Sequence, residues 1–125
     1  CHRQRITRDN LLPVIGEVPV VVEAVDGERD KAMLVEIFSR TDMQQRWLIT
    51  ASGLAGIGDS NTIRTRRLSG NILLCGDMDS GAAPGTGLMA PRVMVAAGHQ
   101  QQPSLQVAEL HHIHLVRGKQ SGRKL

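Results

Sequence analysis

The chain is 125 residues long, 41% apolar, and carries a net charge of +3 at pH 7, which excludes several domains and excludes a disordered polymer. Phe38 and Trp47 are the only aromatic residues, so the core must use smaller side chains that bury less area each, and part of it is expected from elsewhere. Two cysteines without a secretory pattern, Cys1 and Cys75, exclude a disulfide framework, and no apolar run approaches the roughly 20 residues of a membrane span.

In chain order, "ITRDNLL" at 6–12 predicts a short helical turn with Thr7 or Asp9 as its N-cap and Pro13 limiting its length. Residues 18–25, "VPVVVEAV", predict a strand buried on both faces, being short, β-branched and without alternation. After Asp26 and Gly27, residues 28–39 predict a helix. Leu34, Ile37 and Phe38 recur at helical spacing, and Glu28 and Asp30 sit at its positive end. "RWLITAS" at 46–52 predicts a second buried strand, which completes a parallel βαβ unit.

A glycine-rich loop, "SGLAGIGDSN", then leads to "TIRTRRL" and "NILLCGD", which flank Ser69-Gly70 and predict a β-hairpin. "LMAPRVMVAAGHQ" predicts a helix with Pro91 in its first turn, and Pro103 ends or kinks it. The expected fold class is therefore α/β. A start at Cys1 rather than Met marks a processed chain or a piece of a longer one, and the piece is the preferred reading. The expected location is the cytoplasm, with no membrane partner.

Asp26 raises the main chemical question. Open α/β sheets bind ligands outside the carboxyl ends of their strands, so an Asp directly after a buried strand stands where a ligand or metal would sit. It also stands where it would cap the next helix, and the pattern leaves both readings open. Gly53, Gly56 and Gly58 have the spacing G-x-x-G-x-G, and a β-segment follows them. The helix start that holds a phosphate in a nucleotide fingerprint is missing, although such glycines allow another backbone close approach.

Cys75, inside a strand, reads as a buried structural thiol. His111, His112 and His114 have no Cys or acidic partner at a metal spacing and read as solvated. Arg64, Arg66 and Arg67 fit either an acidic partner or a solvated strand edge. The basic termini, "CHRQRITR" and "VRGKQSGRKL", lack aromatic platforms, so no nucleic-acid partner is expected.

Several segments in order resemble the ThiF/MoeB/HesA family, ubiquitin-activating-like enzymes that adenylate the C-terminus of small sulfur-carrier proteins. They are "VVVEAVDGERDKAML", "LITASGLAGIGDSNTIRTRRLSGNILLCGD" and "GLMAPRVMVAAGHQ". Together they span roughly 6–100, and the "ASGLAGIGDSNTIRT" phrase is most similar to the ThiF-like branch of thiamine biosynthesis. The resemblance implies the C-terminal part of a Rossmann-like, ubiquitin-activating-type fold: a parallel βαβ unit, then a β-hairpin and a helix. It further implies a partial adenylyltransferase domain over 1–112, without its nucleotide-binding half, and a basic tail over 113–125.

By the same resemblance Asp26 would be the catalytic carboxylate beside ATP and Mg²⁺, and Lys31 a second ATP contact. Gly53, Gly56, Gly58 and Asn61 would lie along the glycine tail of the carrier. A homodimer is implied, and no zinc, because the paired C-x-x-C ligands of the MoeB-like branch are missing. The family's phosphate loop and ribose-holding acid lie upstream of the Asp and are not in this chain, so the 125 residues alone are expected to be inactive. Two rival functions are a non-catalytic half-Rossmann binding module and a related tRNA threonylcarbamoyladenosine dehydratase.

Overall fold

A computed structural model describes residues 3–25, 27–52, 60–78, 93–103, 105–107 and 109. Four strands, β1 (Val20–Val22), β2 (Trp47–Ser52), β3 (Arg64–Ser69) and β4 (Ile72–Gly76), form one sheet in the order β1-β2-β4-β3. β1, β2 and β4 run parallel, and β3 runs antiparallel to β4. Helices among the described residues include α1 (Leu11–Ile15), α2 (Glu28–Phe38) and α3, at 93–103. The chain is thus mixed α/β, with the expected parallel β1–α2–β2 unit and the expected hairpin.

The core follows from register and helical spacing. Parallel pairing sets Val21, Leu48 and Ile72 side by side on one face of the sheet. Leu34, Ile37 and Phe38 pack there from α2, joined by Leu11 and Met43. Phe38, Leu48 and Ile72 are completely buried, each worth roughly 1.5–3 kcal/mol relative to exposure. Asn71 ties this layer together at the amino-terminal end of β4. Its buried Nδ2 lies 2.9, 3.0 and 2.8 Å from the carbonyls of Phe38, Met43 and Arg46, which share its two hydrogens.

Three expectations need correction. β1 is not buried on both faces: it has three residues, and Val22 is 48% exposed. The cause is its place at the edge. Trp47 N–H bonds the Pro19 carbonyl and Glu23 N–H bonds the Ile49 carbonyl, both at 2.8 Å, so the main-chain groups of Val20 and Val22 face away from β2. α1 starts at Leu11, with Asn10 rather than Thr7 or Asp9 at its N-cap. The Asn10 side chain instead accepts the Thr7 N–H at 2.7 Å and donates to the Arg5 carbonyl at 2.8 Å. Pro13 therefore falls in the first turn, where its missing N–H costs nothing.

The hairpin turn lies at Gly70 and Asn71, because β3 extends through Ser69 with a register shift between Arg67 and Ser69. Pro103 is the last residue of α3; residue 104 lies outside the described residues, and 105–107 is helical again. Pro91 lies outside the described residues, as do His111, His112 and His114. The two sheet edges differ. β3 carries exposed Arg64, Arg66 and Arg67 and an irregular register, features that discourage edge pairing. Arg67 also lies over the Trp47 ring at 5.1 Å. β1 has neither device.

Candidate functional site

Parallel strands end together, so the carboxyl ends of β1 and β2 and the start of α2 converge on one region of the molecule. Asp26 itself lies outside the described residues, as do Gly53, Gly56 and Gly58. Their described neighbours define the surroundings: Val25 and Gly27 flank Asp26, and Ser52 precedes the glycine-rich loop. Asn61 falls in a 3₁₀ turn at Ser60–Thr62 and is exposed.

The residue that organises this region is Glu23, which the sequence reading passed over. Its side chain is 0% exposed. One carboxylate oxygen accepts the Val25 N–H at 2.6 Å, and the Lys31 ammonium stands 3.4 Å from it. The other accepts the Thr50 hydroxyl and, at 3.3 Å, the Ala51 N–H. A buried carboxylate persists only with such partners. The signal was present as a lone acidic residue inside an apolar run.

Glu23 also replaces a rung of the ladder. The parallel pattern that gives Glu23 N–H to Ile49 would next give Ala51 N–H to the Glu23 carbonyl. The Ala51 amide instead turns to the Glu23 carboxylate, and the carbonyl accepts Nε2 of Gln100 from α3 at 3.0 Å. β1 and β2 therefore part at Glu23, three residues before Asp26 in the sequence. The carboxylate fills the opening as a wedge, and its bond to Val25 N–H reaches to within one residue of Asp26.

Lys31 lies one turn into α2, and its main chain is already tied to the turn, with its N–H on the Gly27 carbonyl at 3.0 Å. Its Nζ donates to the Ala51 carbonyl at 2.9 Å and pairs with Glu23, while the side chain stays 26% exposed. Among the described residues the ammonium engages the Ala51 carbonyl and Glu23, two of its three donors. Among the described residues no group of three His, Cys, Asp or Glu side chains is placed to hold a metal, and all four donors to Glu23 compete with any ion. The described part of the site thus offers a cation for an anionic ligand, and the metal role implied for Asp26 rests on Asp26.

Comparison with protein-family models, with curated proteins and with solved structures finds no match for this chain. Function must therefore be argued from the site. An open, mostly apolar cleft of about 370 Å³ adjoins it, lined by Ile6, Val21, Ala24, Val25 and Met33 among others. Arg5 and Asp30, also in the lining, approach each other at 3.9 Å. So apolar a lining suits packed side chains better than a polyphosphate.

On the second face of the sheet, Cys75 is buried as expected for a structural thiol. Burial pushes it above the ordinary thiol value, a rise that the Thr65 hydroxyl, 3.5 Å from Sγ, partly offsets. A raised native value means that stability is whole below the unfolded thiol's titration, at about pH 8.5, and is lost as pH climbs towards the native value. The chain has no tyrosine to confuse that range. Urea midpoints measured from about pH 7 to pH 10 are expected to fall in the wild type and to fall less steeply in Cys75→Ala; equal slopes would contradict the assignment.

Proposed function

We propose that this chain supplies the strand-end half of an α/β adenylyl-transfer site, one that joins ATP to the C-terminal carboxylate of a ubiquitin-like sulfur carrier. The observation that supports the reading is the parallel β1–α2–β2 unit, with the partly exposed Lys31 side chain at the carboxyl end of β2 and Asp26 in the sequence between β1 and α2. α/β sheets bind ligands at that end. The ordered resemblance of three segments to the ThiF/MoeB/HesA family adds the reaction class, and within that reading the fold is the C-terminal part of a Rossmann-like domain. The open edge of β1 and the apolar cleft beside it suit the further strand that a phosphate-binding half would bring.

In this reading Lys31 neutralises phosphate charge, Glu23 aims Lys31 and steadies the turn, and Asp26 holds Mg²⁺. Bringing a carboxylate against the α-phosphate joins two anions, and the bound metal would offset that repulsion. Gly53, Gly56, Gly58 and Asn61 lie along the carrier tail, and ATP and Mg²⁺ are the cofactors of a cytoplasmic homodimer.

The test is isotope exchange between pyrophosphate and ATP in the presence of a carrier ending in Gly-Gly. The 125 residues alone are expected to show none. The same residues joined to a glycine-rich phosphate-loop half are expected to exchange, with a loss of about 100-fold or more on Asp26→Asn. Robust exchange by the chain alone would overturn the half-site reading, and exchange indifferent to Asp26→Asn would remove Asp26 from the chemistry. The internal engagement of Lys31 favours one rival, a carrier-binding module; carrier binding without exchange in the joined protein would select it.

A further inference from the structure

β3 carries three arginines, and its pairing with β4 divides them between the two faces of the sheet. Arg64 pairs with Gly76 and Arg66 with Leu74, so by the alternation of a strand they share the face of Leu48 and Ile72, against which α2 packs. Thr65 and Arg67 take the other face. Thr65 contacts Cys75 there, while Arg67 lies over Trp47 and donates through Nε to the Gly70 carbonyl at 3.1 Å. Arg67 is therefore engaged within the chain. Arg64 and Arg66 are exposed, and among the described residues neither has a hydrogen-bond or ion-pair partner for its side chain.

Other cations are answered within the chain: Arg5 by Asp30, Arg8 by Glu36, Lys31 by Glu23 and Arg40 by Asp42. Of the described acids, Asp77 stands nearest to β3 in the pairing, one residue past the Gly76 opposite Arg64. It is one carboxylate beside two guanidinium groups. Residues two apart on a strand stand about 6.6 Å apart on one side, so the pair matches the spacing of alternate side chains in an extended chain. Leu68 continues the row: it is the extra residue at the register shift between Arg67 and Ser69, and it is 49% exposed. The same irregularity spoils the outer edge of β3 as a template for a further ladder, so a partner meets it through side chains.

We infer that Arg64, Arg66 and Leu68 form a docking face for an extended acidic segment of a protein partner, with carboxylates at alternate positions and an apolar residue beside them. Arginine suits the task, because its planar fork holds a carboxylate by two parallel bonds. A protein acid fits the face better than a nucleic acid. Of the two aromatic residues, Phe38 is completely buried and Trp47 lies on the opposite side of the sheet under Arg67, so neither offers the pair a platform for base stacking. Where the adenylation reading holds, the partner is the carrier, because the segment assigned to its tail ends at Asn61, three residues before Arg64. That identity rests on the reading; the acidic chemistry of the partner does not.

The test titrates the full, isotopically labelled chain at low salt with a capped peptide that bears Glu at two alternate positions followed by Leu. The Nε–H resonances of Arg64 and Arg66 are expected to move and saturate. Affinity should fall about tenfold on Arg66→Ala, the change that loss of one hydrogen bond to a charged group brings. Arg29→Ala, at an exposed arginine between Glu28 and Asp30 in α2, is expected to leave it unchanged. Arg64→Glu together with Arg66→Glu should abolish binding of the Glu peptide and admit its Lys counterpart, a reversal that damage to the fold would not produce. The titration needs neither ATP nor a carrier, so its result stands apart from pyrophosphate exchange. A Glu peptide that binds no better than its Gln counterpart, or equally well to the double variant, would overturn the proposal. So would a single-stranded oligonucleotide that takes the same two arginines more tightly.

Discussion

Glu23→Ala is expected to destabilise the chain by about 3–5 kcal/mol, the cost of removing one partner from a buried ion pair. The loss has three sources. Lys31, only 26% exposed, keeps a charge with no counter-ion among its described neighbours. Val25 and Ala51 each lose the acceptor of a main-chain N–H, and the buried Thr50 hydroxyl loses its acceptor. Glu23→Gln keeps the shape but sets an amide NH₂ against donors on one side, so an intermediate loss is expected. Adding Lys31→Met to Glu23→Ala should recover part of the loss, because the stranded charge goes with it. Urea unfolding of the four chains measures this cycle, with equal m-values as the check that the unfolded state has not changed. A Glu23→Ala chain within about 1 kcal/mol of wild type would deny Glu23 its organising role.

The same residue marks the limit of what the sequence made legible. The α2 stripe of Leu34, Ile37 and Phe38, the buried strand at Trp47–Ser52 and the hairpin were all readable, because periodicity and turn chemistry are local properties. The edge status of β1 was not. A run of valines looks alike in a central and an edge strand, and only the count of neighbouring strands separates them. Glu23 is a misfit in that run, but nothing local to it distinguishes a buried, bonded carboxylate from a solvated one. Its partners, Thr50, Ala51 and Lys31, lie 27, 28 and 8 residues away in the numbering and meet it only once β1 and β2 pair. His99 and Gln100 fall within a predicted helix, and nothing local to them tells that they face inward.

Gly76→Ala is expected to be the most damaging added methyl among the described glycines. Gly76 ends β4 with φ at +157°, a region that side chains of L-residues rarely adopt. A Cβ placed there would stand 1.4 Å from the Ser52 carbonyl oxygen and 2.5 Å from its carbon. Those are backbone atoms of the paired strand, so no rotamer relieves the clash; β2 and β4 would have to separate at the Ser52–Gly76 rung. A loss above about 4 kcal/mol is expected, enough to leave a modest core such as this largely unfolded at 25 °C. Gly98→Ala is the matched control. Gly98 lies in α3 with nothing within 4 Å of an added Cβ, and the change should stabilise the helix by about 0.5–1 kcal/mol. Amide spectra and urea midpoints of the two variants measure the contrast. A Gly76→Ala chain as stable as wild type would mean that β2 and β4 do not approach so closely at Ser52 and Gly76. That approach sets where both strands end, and the glycine-rich segment assigned to the carrier tail starts one residue after Ser52, so the proposed site depends on it as directly as the fold does.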